Sequence, residues 1–194
     1  MRGTPVWQSH VHVHVTKFDL VALGTVADVV PMDQNNRRLV EEGIRRIRGG
    51  HCRPGLKAML LAAGVNPQHL TTRDLAFSIA PRLNAAGRLQ DMSIGIECLL
   101  ADDVRAAELA DQLDALNNER KDIETGMREM ALAHLKQLSL EGETAAGLCF
   151  YRPDWHQGVV GIVASRIKEK SHRPVIAFAP AGDGELKGSG RSVP

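Results

Sequence analysis

The sequence predicts an α/β fold, and three features of its patterning predict it. Between Asp103 and Leu138 apolar residues recur at steps of three and four, as in one long amphipathic helix. After Glu141-Gly142-Glu143 the period changes, and a strand, a helix and a strand follow in order. Before Asp103 lie short apolar runs separated by capping residues, Gly and Pro, the pattern of a set of packed helices. The 194 residues suffice for one full domain or for parts of two.

Residues 1–17 differ from the rest. Val11, Val13 and Val15 alternate with His10, His12 and His14, which suits a short strand with one histidine face. No carboxylate or fourth ligand sits nearby, so an unrelated or artefactual N-terminus is the preferred reading over a metal site. Asp19–Val30 is an apolar stretch ending at Pro31, with Asp28 placed at the end of an apolar strand. Asn36 then caps a helix with Leu39, Gly43, Ile44 and Ile47 on one face, closing at Gly49-Gly50. A second helix starts near Pro54 and stops at Gly64. Thr71 with Asp74 forms a capping arrangement for a third, about Thr72–Ile79, which Pro81 bends or ends.

A loop over Arg82–Arg88 and a short helix from Ser93 to Ala101 complete this half. The long helix carries Leu109, Leu113, Leu116, Ile123, Met127 and Met130, with Arg120 taking one apolar place in the stripe and Gly126 as its single interruption. A strand over Ala145–Tyr151, a helix over Gly158–Lys170 and a strand over Pro174–Ala179 make a right-handed βαβ unit. The turn Gly182-Asp183-Gly184 leads into a last strand, Leu186–Val193, in which the chain stops.

Composition excludes several classes. The three cysteines, Cys52, Cys98 and Cys149, form no CxxC pair, which argues against a structural zinc site and a disulfide framework and fits a reducing cytoplasm. No apolar run is long enough for a membrane span. Net charge is +1, so any nucleic-acid surface must be a local patch. Residues 103–129 hold 8 acidic and 4 basic side chains, whereas residues 145–194 hold 7 basic and 4 acidic.

Four stretches carry chemistry. In Gly24-Thr25-Val26-Ala27-Asp28-Val29-Val30 the carboxylate is either a hard-cation ligand or a turn-forming cap, the cap being favoured two to one on spacing alone. In Pro81-Arg82-Leu83-Asn84-Ala85-Ala86-Gly87-Arg88 two arginines flank small residues, where guanidinium groups grip phosphate or merely coat a surface. In Trp155-His156-Gln157-Gly158-Val159-Val160-Gly161 a histidine precedes a glycine-opened helix, a place that favours anions, although Gly161 could serve packing alone. In Lys187-Gly188-Ser189-Gly190-Arg191-Ser192 small residues, hydroxyls and an Arg suit a phosphate cradle or an ordinary turn. The GxxxxGK[ST] spacing of a P-loop is absent.

In combination and in this order, GTVADVVP, PRLNAAGR, WHQGVVGIVASRIKE and RPVIAFAP followed by LKGSGRS resemble the RecJ branch of the DHH phosphoesterase superfamily. The resemblance runs from about Asp19 to the last residue. It implies the C-terminal part of a DHH catalytic domain over residues 18–102, a connecting helix over 103–138, and the N-terminal part of a DHH-associated domain over 139–194. DNA would run between the two domains. Asp28 would be the last acidic metal ligand, with Asn84 and Arg88 near the scissile phosphate and His156 facing the cleft. Arg82, Ser189 and Arg191 would bind nucleic-acid phosphate, the last two at the 5′ terminus.

The activity so implied is 5′-to-3′ hydrolysis of single-stranded DNA in repair and recombination, with Mn²⁺ or Mg²⁺ activating a water. Single-strand-binding protein is a further partner for the intact enzyme. The departure is large: the DxDxDG-like stretch, a further Asp motif, the Asp-His-His and the GGH-type motif are all missing. One Asp cannot hold a catalytic pair of ions, so the chain by itself is expected to be inactive. The alternatives are a single-strand-binding remnant without catalysis, a related phosphoesterase of short oligonucleotides, and an unstable product without activity.

Overall fold

The computed structural model describes residues 17–140 and 146–193, and the strand expected around His10, His12 and His14 lies outside them. The chain divides between Asn117 and Asn118 into two compact units.

The first unit is helical. Helix α1, Phe18–Ala27, occupies the stretch expected to be a strand ending in Asp28. Its apolar content is consistent with either element, but Asp19, Ala22, Leu23 and Val26 are buried at steps of three, one and three, a helical face. Asp28 is the C-cap residue, its N–H donating to the Gly24 carbonyl at 3.0 Å. Helix α2, Gln34–Arg48, is capped by Asp33, not Asn36: Asp33 Oδ1 accepts from the Asn36 N–H at 2.8 Å. Asn36 instead donates its side-chain amide to the Pro31 carbonyl. The buried face is Val40, Gly43, Ile44 and Ile47, while Leu39 is exposed. Gly43 packs directly on the Phe18 carbonyl and the Ala22 methyl, so any side chain there would drive α1 and α2 apart.

Helix α3, Pro54–Ala62, starts on proline as expected and gives way to Gly64 at φ 69°. Buried Asp19 ties its entry to α1. One carboxylate oxygen accepts from the Leu20 N–H, the other from the Arg53 N–H at 3.0 Å. Thr71 and Asp74 form a full capping box on the short helix α4, Thr72–Asp74. A π-helical turn, Leu75–Ile79, continues it directly into α5, Ala80–Leu89.

Thus PRLNAAGR is helix, where a loop was expected. Pro81 sits in the first turn of α5, where a missing N–H costs little, and alanines at 85 and 86 favour helix and bury fully. Helix α6, Ser93–Leu100, follows.

Helix α7, Asp103–Leu140, is continuous through Gly126. In the first unit Ala106, Leu109, Ala110, Leu113 and Leu116 face a core containing Leu56, Met59, Leu60, Leu75 and Ile79. Arg82 of α5 clamps Asp114 of α7, with Nε at 2.9 Å and Nη2 at 2.6 Å from Oδ1. In the second unit α7 buries Glu124, Met127 and Ala131, and Arg120 in the stripe pairs with Glu124 at 2.8 Å. Met130, expected in the stripe, is exposed. No helix among the described residues is long and apolar enough to cross a membrane.

The second unit continues with strand β1, Leu148–Tyr151, helix α8, Val160–Ser171, strand β2, Val175–Gly182, and strand β3, Glu185–Arg191. The sheet order is β1-β2-β3, parallel across β1/β2 and antiparallel across β2/β3, so the expected βαβ unit stands in a mixed sheet. β3 ends at Arg191, short of the span expected to reach Val193. The hairpin turn is the expected one, with Gly182, Asp183 and Gly184 all at positive φ.

This packing can be probed at its caps and its thiols. Removing the hydroxyl arm of the capping box with Thr71→Ala should cost about 1 kcal/mol in a denaturant melt. The Thr71 hydroxyl and N–H hold the Asp74 carboxyl below its ordinary range. A depressed carboxyl stabilises the fold above its unfolded value, about 3.8, and that contribution is lost as pH falls through the folded value; the variant keeps the backbone N–H at residue 71 and should lose only the hydroxyl's share of this acid-side dependence. Burial pushes the Cys98 thiol up to about 11, while burial and then the Asp19 charge raise Cys52. A thiol reagent at pH 8 should therefore label exposed Cys149 first and reach Cys98 only on unfolding, as peptide mapping would show.

Candidate phosphate-binding site

The second unit gathers its chemistry where α8 begins. Alternation along β3 puts Lys187, Ser189 and Arg191 on one face, and the strand register sets them beside Ala179, Ala177 and Val175 of β2. Those three residues are buried, as are Leu148 and Phe150 on β1 and Val160, Val163, Ala164 and Ile167 on α8. Helix α8 therefore lies over this face, apolar against β1 and β2, polar against β3. The close approach is made at Gly161. A Cβ there would stand 3.0 Å from Ser189 Oγ and 3.1 Å from Arg191 Nη2.

Arg191 is held by neutral acceptors. Its Nε donates to Ser165 Oγ at 3.0 Å, and its Nη1 to Ser189 Oγ at 2.8 Å and the Gly190 carbonyl at 2.7 Å. Ser165 Oγ in turn donates to the Gly161 carbonyl at 3.2 Å. Several other arginines of the chain meet a carboxylate: Arg82 meets Asp114, Arg120 meets Glu124 and Arg152 meets Asp154. Arg191 has no carboxylate partner among the described residues, so it is oriented yet keeps its full charge.

His156 lies half-buried before the same helix. Its Nδ1 accepts the Gly158 N–H at 3.1 Å, which in the neutral ring leaves the proton on Nε2. The N-cap of α8, Val159, supplies no side-chain cap, and an uncapped helix start favours an anion. The arrangement suits a phosphate monoester. Neither Ser165 nor Lys187 was assigned a role from the sequence. An alternation count from Arg191 back through Ser189 would have found Lys187, but Ser165 reaches Arg191 only through folding.

The remaining candidates belong to the first unit. Asn84 and Arg88, four residues apart, lie exposed on α5. Arg82 is largely buried, its guanidinium committed to Asp114 and to the Ser78 carbonyl. Asp28 is exposed. Beside it an open groove of about 810 Å³ is lined by Val26, Val29, Val30, Val40 and Ile44, with Arg37, Arg45 and Arg48 among its polar residues. Among the described residues no three His, Cys, Asp or Glu side chains are grouped closely enough to hold a metal ion. Hard divalent cations need several oxygen ligands, so the donors described do not fit a catalytic Mn²⁺ or Mg²⁺ site.

Residues 144–194 match the DHHA1 domain, which defines the class of the second unit. The chain is 62% identical over 177 residues to the single-stranded-DNA-specific exonuclease RecJ of Salmonella typhimurium, covering 90% of this chain and 31% of that protein. It is also similar to the crystal structure of an exonuclease RecJ bound to manganese, with TM-score 0.78 and 34% identity, over 93% of this chain and 43% of that one. RecJ of Thermus thermophilus in complex with Mg²⁺ matches with TM-score 0.75 and 36% identity, over 92% and 27%. Over the matched residues the chain is similar to RecJ exonucleases, and the expected α/β class stands. It spans about a third of the length of the Salmonella relative.

The contact at Gly161 is directly testable. Gly161→Val should push Ser189 and Arg191 away from α8, with a loss of roughly 1–3 kcal/mol in a thermal or denaturant melt. Gly126→Ala, at a helix position where a Cβ would meet the Met130 methyl at 4.0 Å, an ordinary contact, should be neutral or slightly stabilising.

Proposed function

We propose that this chain is part of a RecJ-type single-stranded-DNA exonuclease, and that its second unit grips the 5′-terminal phosphate of the strand. The observation that carries this is Arg191, fixed by two hydroxyls and a carbonyl with its charge unspent. A terminal monoester carries more negative charge than an internal diester, and the guanidinium fork matches its oxygens. Ser189 and the start of α8 add donors. His156 presents a ring N–H, and Asn84 and Arg88 are the groups of the first unit assigned near the scissile phosphate. Names of relatives support the strand specificity: they are single-stranded-DNA-specific exonucleases.

With this reading go residues 18–102 as part of a DHH domain, 103–138 as its connector and 139–194 as part of the DHH-associated domain. Location in the cytoplasm and an encounter with single-strand-binding protein go with it as well. In the relatives' structures a divalent ion is bound, and such an ion would activate water there. This chain's own residues bind and orient the strand, and hydrolysis requires ligands beyond those described. Contacts to phosphate carry no base information, so affinity should be insensitive to sequence and weaken with salt.

The test is binding and turnover on 5′-phosphorylated single-stranded DNA with Mn²⁺ present. Salt-sensitive binding that prefers the phosphorylated end, without cleavage, is the expected result. Arg191→Ala should weaken it about tenfold and reduce the salt slope by about one. Equal binding by Arg191→Ala would defeat the phosphate assignment, and turnover lost on Asp28→Ala would defeat the claim of inactivity.

A further inference from the structure

Three hydrogen bonds hold the Arg191 guanidinium, and they are not equivalent. Nη1 donates to Ser189 Oγ at 2.8 Å and to the Gly190 carbonyl at 2.7 Å, both on Arg191's own strand β3. Partners so near in the chain travel with the strand and do not fix the arginine against α8. Nε donates to Ser165 Oγ at 3.0 Å, 26 residues back and on α8. Among the described residues Ser165 is therefore the acceptor that ties this guanidinium to a second element. The group is a rigid plane, so anchoring two of its nitrogens fixes the third. That third nitrogen, Nη2, lies 3.1 Å from where a Cβ of Gly161 would stand, against the first turn of α8.

A serine inside a helix needs a reason. Alanine is the better helix former, and a hydroxyl bonded to the carbonyl four residues back slightly weakens and bends the helix. Ser165 makes that bond, donating to the Gly161 carbonyl at 3.2 Å. By itself this would only satisfy a half-buried hydroxyl. It also spends the hydroxyl's single proton, so the oxygen meets Arg191 purely as an acceptor, in a direction set by the helix. Gly161 thus enters twice: its carbonyl orients Ser165, and its bare Cα admits Nη2. Every member of this ring of contacts belongs to the second unit.

We infer that Ser165 is a positioning residue for the phosphate site: it aims Arg191 and so sets the preference for a 5′-phosphoryl over a 5′-hydroxyl end. This rests on the proposal that Arg191 grips the 5′-terminal phosphate, and Ser165 acts only through that arginine. A guanidinium recognises phosphate oxygens through directed N–H bonds, which demand a fixed plane. General attraction of a strand needs only its charge. Loosening the plane while keeping the charge should therefore cost end discrimination and spare the salt-dependent affinity.

The experiment measures binding of the 194-residue chain to single-stranded oligodeoxynucleotides of one sequence with either a 5′-phosphoryl or a 5′-hydroxyl end, over a range of salt. Ser165→Ala should lower the phosphoryl-over-hydroxyl affinity ratio roughly threefold to tenfold, the effect of one lost hydrogen bond. Affinity for the hydroxyl end, the salt slope and the melting curve should match the parent. Ser165→Thr keeps the oxygen and its bond to the preceding turn, and should restore the ratio. In an Arg191→Ala background Ser165→Ala should have no further effect, which a role in the fold alone would not produce. A ratio unchanged by Ser165→Ala but lost in Arg191→Ala would overturn the inference and leave the phosphate site standing. Equal loss at both ends, or a collapsed melt, would make Ser165 a structural residue and overturn it too. If the parent shows no end preference, or Arg191→Ala retains it, the phosphate assignment fails and the inference with it.

Discussion

The polar end of the second unit is built on a close approach of helix α8 to β3 at Gly161, and that approach brings Ser165 within reach of Arg191. A Cβ at 161 would stand 3.0 Å from Ser189 Oγ and 3.1 Å from Arg191 Nη2, so both side chains would have to shift to admit it. A branched side chain there would strain the hydroxyl contacts that hold Arg191, and an arginine without them has side-chain entropy to lose on every encounter with an anion. The value of Arg191 as a binding group lies in having met much of that cost during folding.

The use of arginine throughout the chain sharpens that contrast. Arg82 and Arg120 are largely buried and each meets a carboxylate, as desolvated charge requires. Arg45 and Arg46 share Glu42 on the surface of α2 and hold its carboxyl below the ordinary range, an exposed arrangement of small energetic weight. Arg191 differs from both groups: exposed, geometrically fixed and without a carboxylate among the described residues. Local net charge is therefore a poor guide to where an anion would bind. The surplus of basic residues over 145–194 could have been spread over solvated faces; what matters is that one member is oriented and unneutralised.

The elements were legible wherever local chemistry settles the matter. Pro54, the Thr71–Asp74 box and the Gly182-Asp183-Gly184 turn each act through their own backbone, and each stands where the pattern put it. Two elements were misread because the deciding facts are not local. Asp19–Val30 is apolar enough for either a strand or a helix, and what selects helix is packing on Gly43 of α2. The stretch from Pro81 to Arg88 looks like a loop when its small residues are read as backbone exposure. In the fold Ala85 and Ala86 are small because they are buried, and Arg82 is spent on Asp114, 32 residues away. At Asp33 and Asn36 either residue could serve as the cap, and the pattern favoured the wrong one. Of the candidate site, the sequence singled out Ser189, Arg191 and His156, and the fold sets Ser189 and Arg191 against the first turn of α8. Ser165 could not be singled out, because only the α8–β3 contact brings it to Arg191.

Glu124 shows how helix α8 is tied to α7 within the second unit. It is buried on α7, accepts from Arg120 at 2.8 Å, and also faces Arg166 of α8 at 3.6 Å. A buried carboxylate between two guanidinium groups adds little net stability over an apolar trio, because desolvation offsets much of the attraction. It is, however, intolerant of misalignment. If α8 rotated about its axis, Arg166 would leave Glu124 while Gly161, nearer the start of the helix, turned off β3. The two contacts constrain the same rotation from different points along one helix. Arg166 is half-exposed and 3.6 Å from Glu124, so its pull on the helix is weaker than the 2.8 Å Arg120 pair, and the Gly161 contact and the Glu124 contact act together on the orientation of α8.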